Sequence, residues 1–373
     1  MRGLTFLFPL LSLSILSISA AFAQDSRQLS AHQVNASEYS KEQKANPGKI
    51  TRYYLYSKQL DDTYAVDVWV PADYEPGRSR PYPVIYAQDG QNLFDPTTTW
   101  NGQSWDLDAV LGRLETTVNT PVIVGIHNRP TRSADYLPHA PLASNPSLEQ
   151  KILKGWGQSQ SRSDRYLDFL VNTIKPLMEN DYNIRHDAAG VIAMGSSMGG
   201  LISLYAMCEY PQIFGQAICM STHWLGLDYT CTPDFPEAML SYIGDKLPAD
   251  GLHRLYLDHG TLGFDGSYEP WDTKAYRLAL DKGYEAEKTV MHYIDKGADH
   301  NETCWSKRVD RPLRFMLDSS ADIQELEMDT DVEECKEIYS LDGKLIDSDW
   351  SGLATGLYLI RTTRGSAKIM KTR

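Results

Sequence analysis

The sequence predicts an α/β fold in which a mostly parallel central sheet is covered by helices on both faces. Three observations carry this prediction. Short, continuously apolar segments recur along residues 83–293, which is typical of strands buried on both faces. Longer amphipathic segments separate them, as in successive βαβ units. Two aromatic and β-branched segments, 53–56 and 64–70, precede the series, and we expect them to add antiparallel strands at one edge.

The predicted elements follow in regular order. The two early segments form a hairpin across the polar residues 58–62. Apolar strands are predicted at 83–87, 121–126, 190–194, 216–220, 255–257 and 289–293. Helices are predicted from the spacing of apolar residues at 106–114, 164–178, 199–208, 271–282 and 305–317.

The first 23 residues have the pattern of a secretory signal peptide. Arg2 supplies a positive charge, residues 4–18 are apolar with interspersed serines, and residues 21–23 (Ala-Phe-Ala) form a small-residue cleavage pattern. A transmembrane anchor fits less well because the apolar stretch is short. We therefore expect an exported protein that is periplasmic, bound at the cell surface or extracellular. Residues 24–47 are polar and are interpreted as a linker or loosely docked arm.

The remaining chain is predicted to contain one large unit and one small unit. We assign residues 48–318 to a single α/β domain, 319–336 to an acidic and polar linker, and 337–373 to a small all-β module. The module is interpreted as two hairpins, one across Asp342-Gly343 and one around Arg364-Gly365.

Charge and cysteine content limit the partners. The full chain has 36 Lys and Arg against 49 Asp and Glu, so loss of Arg2 with the leader leaves a formal charge of −14. This balance argues against nucleic acid or an anionic membrane as a partner. The five cysteines show no C-x-x-C spacing, so we expect no metal site.

A G-x-S-x-G motif at residues 195–199 lies where the strand 190–194 ends and the helix 199–208 begins. Glycines on either side of Ser197 permit the sharp, strained turn that exposes a nucleophile, and the helix N-terminus favours negative charge. This context predicts an α/β-hydrolase fold with Ser197 as the nucleophile of a serine hydrolase.

A serine nucleophile needs a base and an orienting carboxylate, and in this fold the chain order is Ser, acid, His. His300 lies in the loop after the last predicted strand and is the predicted base. Asp265, after the strand 255–257, is the predicted acid. The sequence also leaves open His223 and His259 for the base, and Asp258 and Glu269 for the acid.

Two backbone N–H groups are expected to stabilise the oxyanion of the reaction. One belongs to Met198, next to the nucleophile, and the other to Gln91, in the loop after the strand 83–87. Trp224, Trp100 and Tyr268 are candidates for stacking on a sugar or aryl group of the substrate, although such residues are more often ordinary core or rim residues.

Three segments together resemble the Putative esterase family of α/β-hydrolases: 89–95 (Asp-Gly-Gln-Asn-Leu-Phe-Asp), 195–200 (Gly-Ser-Ser-Met-Gly-Gly) and 297–302 (Gly-Ala-Asp-His-Asn-Glu). This family includes enterochelin esterases, S-formylglutathione hydrolase, and the feruloyl and acetylxylan esterases of carbohydrate esterase family 1. The resemblance covers residues 50–317 approximately. It implies a cofactor-independent hydrolase of carboxylic esters, acting through an acyl-enzyme with Ser197, His300 and an acid near Asp265. Acylated carbohydrates or siderophore-like esters are the implied substrates.

One position departs from the family pattern. After Gly260-Thr261 the family usually has an acidic residue, whereas this chain has Leu262, so the resemblance does not decide which residue is the acid. The tail also resembles the C-terminal sorting domains of type IX secretion, at 338–344 and 356–360, which implies contact with secretion machinery. The competing interpretation is a β appendage that packs on the hydrolase domain.

Other functions are compatible with the same fold. One is a serine peptidase or acyltransferase, and another is a catalytically inactive carbohydrate-binding surface protein. The complete Ser, Asp and His set argues against an inactive binder. The sequence indicates no propeller or large lid domain of the kind that would restrict a peptidase to short peptides. An ester hydrolase is therefore the favoured interpretation.

Overall fold

The computed structural model describes residues 48–114, 117–227 and 233–318 of the chain. It also describes five strands outside these ranges: Leu29–Val34, Cys335–Tyr339, Leu345–Asp347, Gly356–Thr362 and Gly365–Lys371. The predicted signal peptide and most of the predicted linker at 319–336 lie outside the described residues. Within the described part of the chain, no helix has the length and apolar character needed to cross a membrane.

A nine-stranded sheet forms the centre of the molecule. Its antiparallel strands are β1 (Leu29–Val34), β2 (Lys49–Ser57) and β3 (Asp62–Val70). Its parallel strands are β4 (Val84–Gln88), β5 (Val122–Ile126), β6 (Val191–Ser196), β7 (Gln216–Met220), β8 (Arg254–Gly260) and β9 (Val290–Asp295). The spatial order is β1-β2-β3-β5-β4-β6-β7-β8-β9. The predicted mostly parallel sheet with antiparallel strands at one edge is confirmed.

Strand β1 falls in the segment predicted as a linker or arm. It pairs with β2 from Leu29 opposite Tyr54 to Val34 opposite Ile50, with a shift of register between. Its six residues are half apolar and half polar, without strict alternation, and do not predict a strand. An edge strand is formed by hydrogen bonding to its neighbour more than by its own composition, so the sequence of β1 carries little signal.

Ten helices in the described residues connect the strands. They are α1 (Leu107–Leu114), α2 (Arg132–Tyr136), α3 (Pro146–Gly155), α4 (Ser163–Phe169), α5 (Lys175–Asp181), α6 (Met198–Glu209), α7 (Asp234–Lys246), α8 (Glu269–Asp281), α9 (Glu302–Arg308) and α10 (Asp310–Leu317). A π turn, Leu170–Ile174, joins α4 to α5.

The helices cover both faces of the sheet, as predicted. Successive residues of a strand point to opposite faces, and β4 shows the consequence. Val84 and Tyr86 pack against the helices α2 to α8, whereas Ile85 and Ala87 pack with residues of α1, α9 and α10. Two apolar layers therefore enclose a sheet whose central strands are completely buried.

Three helices are absent from the sequence prediction: α2, α3 and α7. Helix α3 nevertheless begins with a recognisable signal, because Asn145 accepts a hydrogen bond from Leu148 N and Pro146 occupies the first turn. The predicted helix 305–317 is two helices, separated at Val309.

The strands of the tail form a sheet of their own. β10 (Cys335–Tyr339), β11 (Leu345–Asp347), β12 (Gly356–Thr362) and β13 (Gly365–Lys371) are antiparallel, in the order β11-β10-β12-β13. Both predicted hairpins are present, so the small all-β module of the predicted fold is confirmed. The boundaries of the domains and linkers stay predictions.

Candidate active site

Ser197 lies between the end of β6 and the start of α6, and its backbone is strained. It has φ 58° and ψ −124°, a conformation that residues with a Cβ rarely adopt. The turn needs glycine beside it, because a Cβ on Gly195 would lie 2.4 Å from the carbonyl carbon of Gly199. The sharp turn places Ser197 on the wall of a cavity at the carboxyl end of the parallel strands.

A chain of hydrogen bonds joins the three side chains that the sequence predicts for the reaction. Ser197 Oγ lies 2.9 Å from His300 Nε2, and His300 Nδ1 lies 2.6 Å from Asp265 Oδ1. His300 follows β9 and Asp265 follows β8, so neighbouring parallel strands deliver them to one place. With Nδ1–H donating to the carboxylate, Nε2 is left to accept the hydroxyl proton of Ser197.

Aromatic rings fix the orientation of the His300 imidazole. The rings of Trp305, Tyr268 and Phe264 meet it edge to face, with centroids 5.0, 5.6 and 5.7 Å away. Such contacts are favourable arrangements of aromatic systems. They leave His300 little freedom to rotate away from Ser197.

Asp265 is completely buried and strongly hydrogen-bonded. Its second oxygen, Oδ2, accepts from Ser221 Oγ and from Gly260 N, each at 2.6 Å. Burial opposes ionisation of the carboxyl, but the hydrogen bonds from His300, Ser221 and Gly260 outweigh it and hold the pKa of Asp265 below its usual value. The residue is therefore ready to pair with a positively charged His300.

Asp258, the second aspartate considered as the acid, is engaged elsewhere. Its carboxylate accepts from Arg308 Nη2 at 3.0 Å and Nε at 3.1 Å, and from Ser221 N at 3.0 Å. Burial alone would lower the pKa of Arg308, but the charge of Asp258 reverses this effect and raises it. The pair is thus a buried salt bridge behind the site, and Asp258 is not the partner of His300.

Ser221 connects this salt bridge to Asp265. Its Oγ donates to Asp265 Oδ2, and it accepts from Arg308 Nη2 at 2.6 Å and from Trp305 Nε1 at 2.9 Å. A hydroxyl has one proton and two lone pairs, so its hydrogen-bonding capacity is completely used. Ser221 also has a positive φ of 44°, which indicates that the network holds the backbone in place.

Two further histidines and one glutamate, considered above for the base and the acid, lie outside this hydrogen-bonded chain. His223 is buried, and its ring nitrogens lie 2.8 Å from Tyr268 Oη and 2.7 Å from Gly226 O; burial lowers its pKa to about 4. His259 Nδ1 lies 2.6 Å from Gly260 O. Glu269 is exposed at the first position of α8.

The two predicted oxyanion donors lie at helix starts. Met198 is the first residue of α6, and Gln91 belongs to the single 3-10 turn Gly90–Asn92 after β4. The N–H groups of a first turn have no partner within their own helix. Gly90 brings the turn against β5, since a Cβ there would lie 2.4 Å from Gly125 O. Gln91 and Ser197 line the same cavity.

The cavity has a volume of about 510 Å³. Trp100 stands at its wall with 80 % of its surface exposed, and its Nε1 donates to Glu302 Oε1 at 2.9 Å. Asn101 Nδ2 donates to Glu302 Oε2 at 2.6 Å. The buried Glu302 thus fixes the loop that presents Trp100, and the predicted position of Trp100 at the site agrees with this geometry.

Trp224 and Tyr268 do not line the cavity, and for them the predicted substrate contact is wrong. Both are completely buried. Trp224 Nε1 donates to Asp272 Oδ1 at 2.8 Å, and Tyr268 Oη bonds to His223. Residue type alone suggested them, and residue type does not distinguish a buried indole from an exposed one.

The sequence analysis also missed four polar residues of the cavity wall: Asp89, Asn128, Arg132 and Glu302. Arg132 Nε and Nη2 each donate to the Asp89 carboxylate at 2.7 Å, and Asn128 Nδ2 donates to it at 2.6 Å. Asp89 and Glu302 could have been found from the sequence, because each lies in one of the segments that carry the family resemblance. Arg132 had no such signal.

Residues 57–320 match the family model described as Putative esterase. The chain belongs to this family. The match agrees with the predicted resemblance, with the predicted fold and with the prediction of a carboxylic-ester hydrolase, all of which are confirmed. The esterase is also 27 % identical over 259 residues to an uncharacterized protein, YbbA, of Bacillus subtilis. The aligned region covers 67 % of this chain and 90 % of YbbA.

Solved structures share the fold of this esterase. The enterobactin esterase of Shigella flexneri superposes with a TM-score of 0.53 at 15 % identity, covering 72 % of this chain and 59 % of that chain. A ferulic acid esterase superposes with a TM-score of 0.51 at 15 % identity, covering 78 % and 98 %. This esterase therefore spans about three-fifths of the length of the enterobactin enzyme.

Proposed function

We propose that this esterase cleaves carboxylic esters through a Ser197-His300-Asp265 triad and an acyl-enzyme intermediate. The observation that carries the proposal is the continuous hydrogen-bonded chain from Asp265 through His300 to Ser197. It unites a nucleophile, a base and an orienting acid in the geometry that acyl transfer needs.

In the proposed reaction, His300 Nε2 removes the proton of Ser197 Oγ as that oxygen attacks the ester carbonyl carbon. The carbonyl oxygen becomes an oxyanion and accepts from the N–H groups of Met198 and Gln91. Each such donor is worth about 3 to 4 kcal/mol of transition-state stabilisation. His300 then gives its proton to the leaving alkoxide, and water, activated by His300, hydrolyses the acyl-enzyme.

Asp265 also stabilises the positive charge that His300 carries transiently in this cycle. A carboxylate bonded to the Nδ1–H of an imidazole stabilises the imidazolium that forms during acyl transfer, and the 2.6 Å contact between His300 Nδ1 and Asp265 Oδ1 provides this pairing. Charges in a buried site interact more strongly than in water, so this arrangement supports general-base catalysis by His300.

We further propose an ester with a planar or sugar group as the substrate, as in acylated carbohydrates or siderophore-like compounds. The exposed indole of Trp100 offers a flat apolar face on the wall of the cavity that Ser197 also lines. The names of two structural neighbours, a ferulic acid esterase and an enterobactin esterase, agree with this class. We also propose that the enzyme acts after export, on the basis of its signal-peptide pattern.

The decisive experiment compares wild type with Ser197→Ala on p-nitrophenyl esters, feruloylated and acetylated sugars, and aminoacyl amides. We expect Ser197→Ala to lower kcat/KM for esters by several orders of magnitude, with an unchanged circular dichroism spectrum and Tm. A variant within about tenfold of wild type would refute the nucleophile. Faster turnover of the amides than of the esters would favour a peptidase, and the absence of any turnover by wild type would favour an inactive binder.

Trp100→Ala tests the substrate class. Loss of the stacking face should raise KM for feruloylated or acetylated sugars about fivefold to tenfold, which corresponds to roughly 1 kcal/mol. Hydrolysis of ethyl acetate, which has neither a planar group nor a sugar, serves as the control and should change little. Equal losses on both substrates would mean that Trp100 supports the loop through Glu302 instead of contacting the substrate.

A further inference from the structure

A second cluster of titratable side chains lies on the other face of the sheet from the Asp258–Arg308 salt bridge. His259 lies on β8, Asp272 on α8 and His292 on β9. One ligand atom from each, a ring nitrogen or a carboxylate oxygen, lies within 4.8 Å of the others. The proposed triad uses none of the three residues.

The converging atoms lack hydrogen-bond partners. Among the described residues, nothing bonds to His259 Nε2, Asp272 Oδ2 or His292 Nε2. His259 and Asp272 are completely buried, and the His292 side chain is only 10 % exposed. Asp272 Oδ2 lies 3.2 Å from His292 Nε2, but the approach does not have hydrogen-bond geometry. Three buried polar atoms left unsatisfied at one point indicate a missing partner.

The opposite ends of these side chains are held firmly. His259 Nδ1 donates to Gly260 O at 2.6 Å, so its Nε2 carries a lone pair directed into the cluster. Asp272 Oδ1 accepts from Trp224 Nε1 at 2.8 Å. The His292 ring packs between the rings of Tyr276 and His259, with centroids 5.3 and 5.7 Å away. Metal ligands are typically oriented by such outer hydrogen bonds.

We propose that His259, Asp272 and His292 bind a divalent transition-metal ion, and that zinc fits best. Two imidazoles and one carboxylate form a ligand set that zinc accepts readily, whereas calcium prefers oxygen ligands alone. Ligand atoms about 2.0 to 2.2 Å from a tetrahedral zinc lie roughly 3.3 to 3.5 Å apart, close to the 3.2 Å between Asp272 and His292. The slight exposure of His292 leaves room for water as the fourth ligand.

The site would stabilise the fold and does not contact the substrate. An ion there would tie β8, β9 and α8 together. Gly260 provides the connection to the triad, because its carbonyl accepts from His259 and its N–H donates to Asp265 Oδ2 at 2.6 Å. The ligands lie 13 and 20 residues apart on three elements, so the cysteine spacing that led us to expect no metal had no bearing on them.

Metal content and thermal stability test the proposal without reference to activity. The full mature chain is stripped with a chelator, incubated with Zn²⁺, dialysed and analysed for zinc. We expect about one zinc ion per chain and an increase of Tm by roughly 5 °C over the stripped protein. His292→Gln and Asp272→Asn should lose both the ion and the Tm increase. His186→Gln, with an exposed side chain, is the matched control and should retain both.

A measurement on wild type alone covers the event that the variants do not fold. Co²⁺ bound at this site should give the intense visible absorption of a four-coordinate cobalt ion, and added Zn²⁺ should displace it. Wild type that retains no zinc, shows no Tm change and gives no such spectrum would overturn the proposal and leave an Asp272–His292 ion pair. Zinc retained equally by both folded variants would also overturn it.

Discussion

The hydroxyl of Ser221 explains why Asp258, within β8, and Asp265, five residues after β8 ends, have different partners. It bonds to the oxygen of Asp265 that faces away from His300, and the same hydroxyl accepts from Arg308, which holds Asp258. Asp265 therefore keeps one oxygen for His300, while both oxygens of Asp258 are committed to Arg308. The sequence shows only that both aspartates follow an apolar strand.

Two substitutions separate the role of Asp265 as the proposed acid from that of Asp258 as the partner of Arg308. Asp265→Asn should lower kcat by about four orders of magnitude with little change in KM, because an amide neither holds the right tautomer of His300 nor stabilises its charged form. Asp258→Asn should instead lower the free energy of unfolding by about 3 to 5 kcal/mol, since Arg308 loses its buried partner. Steady-state kinetics and urea unfolding of both variants measure the two effects.

The opposite pattern, with Asp258→Asn folded normally and the more damaged in kcat, would transfer the role of acid to Asp258. Acidity provides a second check. Because the pKa of Asp265 is held below its usual value, its carboxylate contributes stability that is present at neutral pH and is lost as the pH falls through that lowered pKa. The Asp265→Asn variant should lack this contribution, so its stability should fall less than that of wild type in strong acid.

At the residue scale, a local motif and the chain order were enough to choose residues that the structure brings into hydrogen-bonding contact. Ser197 was chosen from its glycines, and His300 from its place after the last strand. The choice between Asp258 and Asp265 depended on the path of the loop after β8, which the neighbouring residues in the sequence do not reveal. Trp224 was wrong for a related reason, because the buried Asp272 that its indole donates to is 48 residues away.

At the scale of elements, the contact between β6 and α6 depends on the absence of side chains. The sharp turn at Ser197, between β6 and α6, passes so close to the start of α6 that a Cβ on Gly195 would lie 2.4 Å from the backbone of Gly199. Real Cβ atoms do not approach backbone carbons this closely, so strand and helix would have to separate. Their separation would also move the N–H of Met198.

Gly195→Ala should therefore lower kcat/KM by at least about a hundredfold, which is the loss expected for one oxyanion donor, and should also lower Tm. Gly77→Ala is the matched control, because a Cβ there meets no atom within 4 Å. Ester kinetics and thermal unfolding measure the two effects. Wild-type activity in Gly195→Ala would show that the turn at Ser197 accommodates a Cβ at position 195, contrary to this geometry.

Continuous apolar strands were predicted within a few residues, since burial on both faces leaves a strong compositional signal. Strand β7 was predicted with its observed bounds, Gln216–Met220. Strand β1 and helices α2, α3 and α7 escaped prediction, although α7 has 13 residues. Helix α2 has five residues, too few to show helical periodicity, and β1 forms by pairing with the free edge of its neighbour.

At the scale of the whole molecule, the two sheets share no strand. All three members of the proposed triad belong to the larger sheet and its loops, and the family match also ends at residue 320. The predicted α/β unit at 48–318 therefore contains every residue that the proposed reaction needs. The proposed reaction does not need the smaller sheet, whose resemblance to a sorting domain stays a prediction.

Truncation before Glu337 should accordingly leave kcat and KM for p-nitrophenyl acetate within about twofold of wild type, a change of less than about 0.5 kcal/mol. Activity and circular dichroism of the truncated protein, purified in parallel with the full chain, provide the measurement. A truncated protein that folds but has lost its activity would mean that the tail contributes to the site.

The late position of Arg308 in the chain has a consequence for when activity can arise during synthesis. A ribosome releases Ser197 about a hundred residues before it releases His300, and Arg308 follows His300. Domains fold from the N-terminus as they emerge, but here Ser197 cannot act until the later segment that contains His300 and Arg308 has been made. A nascent or prematurely terminated chain would contain Ser197 in its turn but would have no hydrolase activity. Activity would therefore appear in one step, when α9 and α10 pack against the sheet.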